Sequence, residues 1–108
     1  MLVAVPLEEE KGLDSRLSEH FGKAPHFAFV EIREGKVTSW KIERNTLEHG
    51  AVPEHLIAHG VDLVLTRHIG SHAREKLVSF GVRVVYVTED TLSQVLSRLT
   101  GTAGEERP

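Results

Sequence analysis

Between residues 51 and 100 helical stretches alternate with short β-branched runs, and no other feature of the chain restricts the fold as much. Val61-Asp62-Leu63-Val64-Leu65 and Val82-Arg83-Val84-Val85-Tyr86-Val87 are too short for helices and read as buried strands. Ala51 to His59 reads as a helix, with Pro53 in its first turn and Gly60 just past its end. Ser71 to Phe80 reads as a second helix. Ile69, Ala73, Leu77 and Phe80 form its apolar stripe, and Gly81 is its stop. Thr88, followed by Glu89 and Asp90, reads as the start of a third helix, because acidic residues suit the positive end of the helix dipole. Leu92, Val95, Leu96 and Leu99 make that helix amphipathic, and Gly101 ends it. Residues 102–108 read as a flexible polar tail. Strands joined through single helices must run parallel, with right-handed crossovers.

The first half adds three strands. Leu2-Val3-Ala4-Val5 is a short apolar run that suits a strand buried on both faces. Phe27 to Ile32 and Lys36 to Glu43 flank a Glu34-Gly35 turn and read as a hairpin with a wetter outer strand. The element order is therefore β-β-β-α-β-α-β-α. The fold class is α/β: a mixed five-stranded sheet with helices on both faces, strand order 3-2-1-4-5 and strand 2 antiparallel. Residues 1–101 read as one domain.

Composition narrows the function classes. The chain of 108 residues is long enough for one core without disulfides. It has 13 basic against 16 acidic residues and no basic run, so it does not read as a nucleic-acid binder. Its apolar start is followed at once by Glu8-Glu9-Glu10, which argues against a secretory signal, and no apolar run approaches a membrane span. There is no cysteine, which removes thiolate catalysis and thiolate-ligated metal sites. The expected compartment is the cytoplasm.

Residues 7 to about 25 form a long stretch without clear periodicity. In so small a chain, a loop of this length points to function. In the 3-2-1-4-5 order, strands 1 and 4 are neighbours whose connections diverge, and a crevice opens at their carboxyl ends. Two segments meet there: Ser18-Glu19-His20-Phe21-Gly22-Lys23-Ala24-Pro25-His26 and Thr66-Arg67-His68-Ile69-Gly70-Ser71-His72. Gly70 and Ser71 open a helix, whose free N–H groups attract anions. Arg67 precedes them, Lys23 approaches from the other loop, and His20, His26, His68 and His72 add donors or metal ligands. Phe21 reads as a core plug, Gly22 and Pro25 as shapers of the loop, and His26 as mainly structural. His55 and His59 are four apart on a helix, yet further metal ligands are not obvious nearby in sequence, so they read as a structural or solvated pair.

Several enzyme classes are disfavoured. A two-metal nuclease needs carboxylates on strand 1, which offers Ala4 and Pro6. A phosphoacceptor domain needs an acid at the end of strand 3, which ends in Arg44-Asn45. There is no G-x-x-x-x-G-K-[ST] loop and no G-x-S-x-G elbow. The chain reads as a non-catalytic binding protein for an anionic ligand.

At the two loops the sequence resembles the dinitrogenase iron–molybdenum cofactor biosynthesis family, the NifX and NifB C-terminal type of small accessory protein. The matching pieces are Leu13-Asp14-Ser15, the Ser18 to Phe27 stretch, Asn45, His49-Gly50-Ala51, Gly60-Val61-Asp62, and Ile69-Gly70 with Ala73. The resemblance implies a ribonuclease H-like three-layer fold without nuclease activity. It also implies binding or carrying of an iron–sulfur or iron–molybdenum cluster or precursor, with cofactor-assembly proteins as partners. His20 is the leading contact in that light, and Gly22, Lys23, Ile69 and Gly70 shape or line the pocket. The candidate binding set is His20, Phe21, Gly22, Lys23, Arg67, His68, Ile69, Gly70 and Ser71, with His20 and His68 as candidate metal ligands. Arg67-His68 stand where the family has small residues, and Ser71-His72 where it often has proline and arginine. These departures imply a pocket that is smaller, more basic or tuned to another ligand. The alternative is a regulatory or scaffold module that binds a small oxyanion, a phosphate or a protein.

Overall fold

Strand β1, Leu2–Leu7, is buried along nearly its whole length, as a central strand covered on both sides must be. The computed structural model describes residues 1–100, with His49 described by its backbone alone. After β1 come β2 (His26–Arg33), β3 (Lys36–Arg44), a 3₁₀ turn (His49–Ala51), α1 (Val52–Ala58), β4 (Leu63–Thr66), α2 (Ser71–Ser79), β5 (Arg83–Tyr86) and α3 (Leu92–Thr100). The sheet order is β3-β2-β1-β4-β5, as the sequence predicts. β2 is antiparallel to both β1 and β3, whereas β1, β4 and β5 run parallel. Gly101 and the tail of residues 102–108 lie outside the described residues. Among the described residues, no helix is long and apolar enough to cross a membrane.

The two-residue period of the strands divides the core into two layers. Val3, Val5, Leu7, Ala28, Val30, Ile32, Leu63 and Leu65 pack against Leu92, Val95 and Leu96 of α3. Ala4, Phe27, Phe29 and Val64 face the other way, onto Val52 and Leu56 of α1 and Leu77 of α2. Each fully buried leucine contributes about 1.5–3 kcal/mol relative to exposure. The β2–β3 turn places Glu34 at φ 54° and Gly35 at φ 78°, the left-handed pair required by a two-residue hairpin loop. β3 is largely exposed, which fits its expected role as the wet edge.

Two expectations are corrected. The third helix starts at Leu92, not at Thr88. Thr91 and Gln94 form a reciprocal cap: Gln94 Oε1 accepts from the backbone N–H of Thr91, and Thr91 Oγ1 accepts from that of Gln94. The long loop completes the helix start, since the Leu92 and Ser93 N–H groups donate to the carbonyls of Ser15 and Leu13. Phe80 also leaves the predicted apolar stripe. It is the C-cap of α2 and 61% exposed, and the Lys76 ammonium lies 5.4 Å from its ring centroid.

Candidate ligand cavity

The loop after β1 is held from beneath by Ser18, which is fully buried. Its N–H donates to the Pro6 carbonyl at 3.0 Å, its hydroxyl donates to Glu8 Oε2 at 2.9 Å, and its oxygen accepts from the His20 N–H at 3.0 Å. Phe21 is 4% exposed and meets Phe27 edge-on, with centroids 5.6 Å apart, so an apolar anchor follows directly on His20. Asn45 secures the far side of the loop. Its Nδ2 donates to the carbonyls of Gly22 (3.2 Å) and Ala24 (2.8 Å), and its Oδ1 accepts from the Leu47 N–H at 3.1 Å.

This loop, α1 and the start of α2 enclose a cavity of about 580 Å³. The loop contributes His20, Phe21, Gly22 and Lys23. The helices contribute Pro53, Glu54, His72, Ala73 and Lys76, and Gly50 and Gly70 complete the wall. Gly70 is the N-cap of α2, and no side-chain hydrogen bond caps the helix. The first-turn N–H groups and the dipole therefore remain open to an anion. Among the described residues, Lys23 and Lys76 are the cations of the wall, His20 and His72 its imidazoles, and Glu54 its single carboxylate. Glu54 Oε2 lies 3.3 Å from Lys76 Nζ. The arrangement suits an anion that also accepts nitrogen ligands.

The structure thus brings His20, Phe21, Gly22, Lys23 and Gly70 of the candidate set to one wall. Arg67, His68, Ile69 and Ser71 are not among the lining residues. Arg67 turns to the other side of its loop. Its Nε pairs with Glu19 at 2.9 Å, and its Nη1 donates to the carbonyls of Thr88 and Glu89 and to Asp90 Oδ1. His68 Nε2 lies 3.1 Å from the other oxygen of Glu19. The two residues strap the loops together through one carboxylate. Ile69 packs on the α1/α2 layer of the core. Among the described residues, no three His, Cys, Asp or Glu side chains form a ready metal-binding group. Of the two candidate metal ligands, His20 lines the cavity, whereas the His68 ring meets Glu19.

Residues 1–101 match the family described as dinitrogenase iron-molybdenum cofactor. The chain belongs to this family. It is 34% identical to the crystal structure of PH0822, over 94% of this chain and 91% of that one, with a TM-score of 0.86. It is also 28% identical to the apo form of the orange protein from Desulfovibrio gigas, over 90% and 84% of the two chains, with a TM-score of 0.76. An uncharacterized Methanocaldococcus jannaschii protein, MJ0580, is 28% identical over 102 residues, 89% of this chain and 82% of that protein.

Within the dinitrogenase iron-molybdenum cofactor family frame, the sequence reading missed the helical half of the wall. By sequence, Pro53 and Ala73 have only helix-building roles or a family match, Glu54 and Lys76 have none, and His72 is a possible donor or metal ligand. One signal was present: His72 and Lys76 are four apart, which puts both on one face of α2. Which cavity that face borders depends on the packing of α2 against α1, and that is not local information.

Proposed function

We propose that the protein is a non-catalytic carrier for an anionic metal–sulfur cluster of the iron–sulfur or iron–molybdenum type, or its precursor, in metallocofactor assembly. The observation that carries this reading is the cavity wall, where Lys23, Lys76 and an uncapped helix start surround two imidazoles. The family match supports the choice of ligand class. The chain has no cysteine, so the cluster arrives with its own sulfides and is held by imidazole, backbone N–H groups and charge. His20 and His72 are the nitrogen donors, and Asn45 and Ser18 keep His20 in place. The natural partners are cofactor-assembly proteins that load and unload the cluster, and the cytoplasm is the compartment where this would occur.

The test is anaerobic reconstitution with iron, sulfide and molybdate, then gel filtration and metal analysis. Wild type retains metal, and His20→Ala loses about tenfold in affinity, equivalent to about 1.4 kcal/mol. If both proteins retain equally negligible metal, the reading fails. A second reading, a module for a small oxyanion, is favoured by the uncapped start of α2 beside Lys76. A thermal shift with phosphate or molybdate alone, matching that given by the cluster, would select it.

A further inference from the structure

Helix α1 borders two cavities. Pro53 and Glu54 line the large one, whereas His55 and Leu56 line a smaller cleft of about 120 Å³ whose wall includes Phe27, Phe29 and Glu43. One turn beyond His55, His59 brings its ring to 4.1 Å, centroid to centroid, at an interplanar angle of 43°. His59 Nδ1 is 3.0 Å from the His55 carbonyl oxygen. A carbonyl can only accept, so Nδ1 carries the hydrogen, and in the neutral imidazole Nε2 offers the lone pair. Metal-binding histidines are commonly oriented in this way, with the second ring nitrogen donating to a backbone carbonyl. The Phe29 ring lies 6.4 Å from the His59 ring and backs it.

A carboxylate stands nearby on the adjacent strand. The Lys41 ammonium, 2.8 Å from Glu43 Oε2, holds the Glu43 carboxyl below its usual range. Desolvation opposes this. Glu43 and His55 line the same cleft from elements distant in sequence, and the His59 ring packs on that of His55.

We propose that His55 and His59, with Glu43 beside them, form a surface site for a divalent first-row transition ion such as Cu²⁺, Ni²⁺ or Zn²⁺. Imidazoles four apart on a helix face can chelate one ion, and nitrogen donors select these metals over Mg²⁺ and Ca²⁺. Among the described residues no three such side chains already converge. The site is thus a two-nitrogen chelate completed by water, and Glu43 joins it only by releasing Lys41. It does not depend on what the large cavity holds.

The experiment uses the tag-free, metal-stripped full chain, titrated with Cu²⁺ and followed by electron paramagnetic resonance. The first equivalent should show two imidazole nitrogens. His55→Ala or His59→Ala should each weaken that equivalent about tenfold or more and leave one nitrogen from the pair. Glu43→Gln should weaken it severalfold. The double variant His20→Ala/His72→Ala, in the large cavity, should leave it unchanged. Alanine is the better helix former, so the helix should survive both single substitutions, and a circular dichroism melt checks this. The proposal is overturned if the first equivalent persists unchanged in both single variants. It is equally overturned if that equivalent disappears with His20 and His72.

Discussion

Glu54 of α1 and Lys76 of α2 meet across the mouth of the cavity, carboxylate to ammonium at 3.3 Å. Glu54 thereby occupies the cation that an incoming anion needs. Both side chains are substantially exposed, so the pair itself contributes little, on the order of 0–1 kcal/mol. Even so, that energy must be given up when an anionic ligand takes Lys76. Glu54→Gln should therefore tighten molybdate binding by up to about fivefold at low ionic strength, and the gain should shrink as salt screens the mouth. Lys76→Ala should weaken binding. Calorimetric titration at two salt concentrations measures both effects, and weaker binding by Glu54→Gln would contradict the competitor role.

Asn45 closes the loop that carries His20 without touching the cavity. Asn45→Ala strips hydrogen bonds from the Gly22 and Ala24 carbonyls and from the Leu47 N–H. The expected loss is about 1–3 kcal/mol of stability, read from urea denaturation. Faster amide exchange should accompany it between residues 20 and 25. Asn45→Asp keeps the acceptor but turns a carboxylate toward two carbonyls, so it should be at least as damaging. A harmless Asn45→Asp would mean that the two Nδ2 contacts contribute nothing.

The strand order was legible because short β-branched runs and a Glu-Gly turn leave few ways to pair five strands. The misplaced start of α3 has a physical cause. The carbonyls of Thr88 and Glu89 accept from Arg67, and that of Asp90 accepts from the Leu17 N–H, so these residues serve contacts across the fold. The helix then begins at the next cap, Thr91 with Gln94. The loop half of the cavity was readable because His20 to Lys23 are contiguous. Its helical half was not, since Glu54 and Lys76 meet only when α1 packs on α2. Sequence position places Arg67 and His68 beside the ligand, whereas the salt bridges to Glu19 form only across the fold.

Glu9 sets part of the acid limb of stability. The Arg16 guanidinium bonds to its carboxylate at 2.8 and 3.0 Å, the Arg16 N–H adds a third bond, and its pKa falls from 4.5 to about 2. A carboxyl whose pKa is lower when folded favours the folded state in its ionised form. That contribution is complete above about pH 4.5 and is lost as pH falls toward about 2. Glu9→Gln should lower stability at neutral pH and flatten its dependence over this window. Thermal midpoints measured from pH 7 to pH 2 test this. If the variant loses stability over that window as steeply as wild type, Glu9 is not the titrating group.

Arg67 and His68 are distinguished by what each substitution leaves behind. Arg67 reaches Glu19, two backbone carbonyls and Asp90 with one planar fork. Arg67→Ala should cost about 0.5–1.5 kcal/mol, because the Thr88 and Glu89 carbonyls exchange the guanidinium for water. Arg67→Lys should rescue little, since one ammonium cannot span acceptors on both sides of the guanidinium. His68 is mostly exposed and makes one contact to a carboxylate that Arg67 already holds. His68→Ala should therefore change stability by no more than about 0.5 kcal/mol. It should also leave cluster retention at the wild-type level, whereas His20→Ala reduces it. Parallel metal analysis of the two histidine variants decides the matter: loss of metal in His68→Ala would return His68 to the ligand set and require the Glu19 strap to open when the cluster binds.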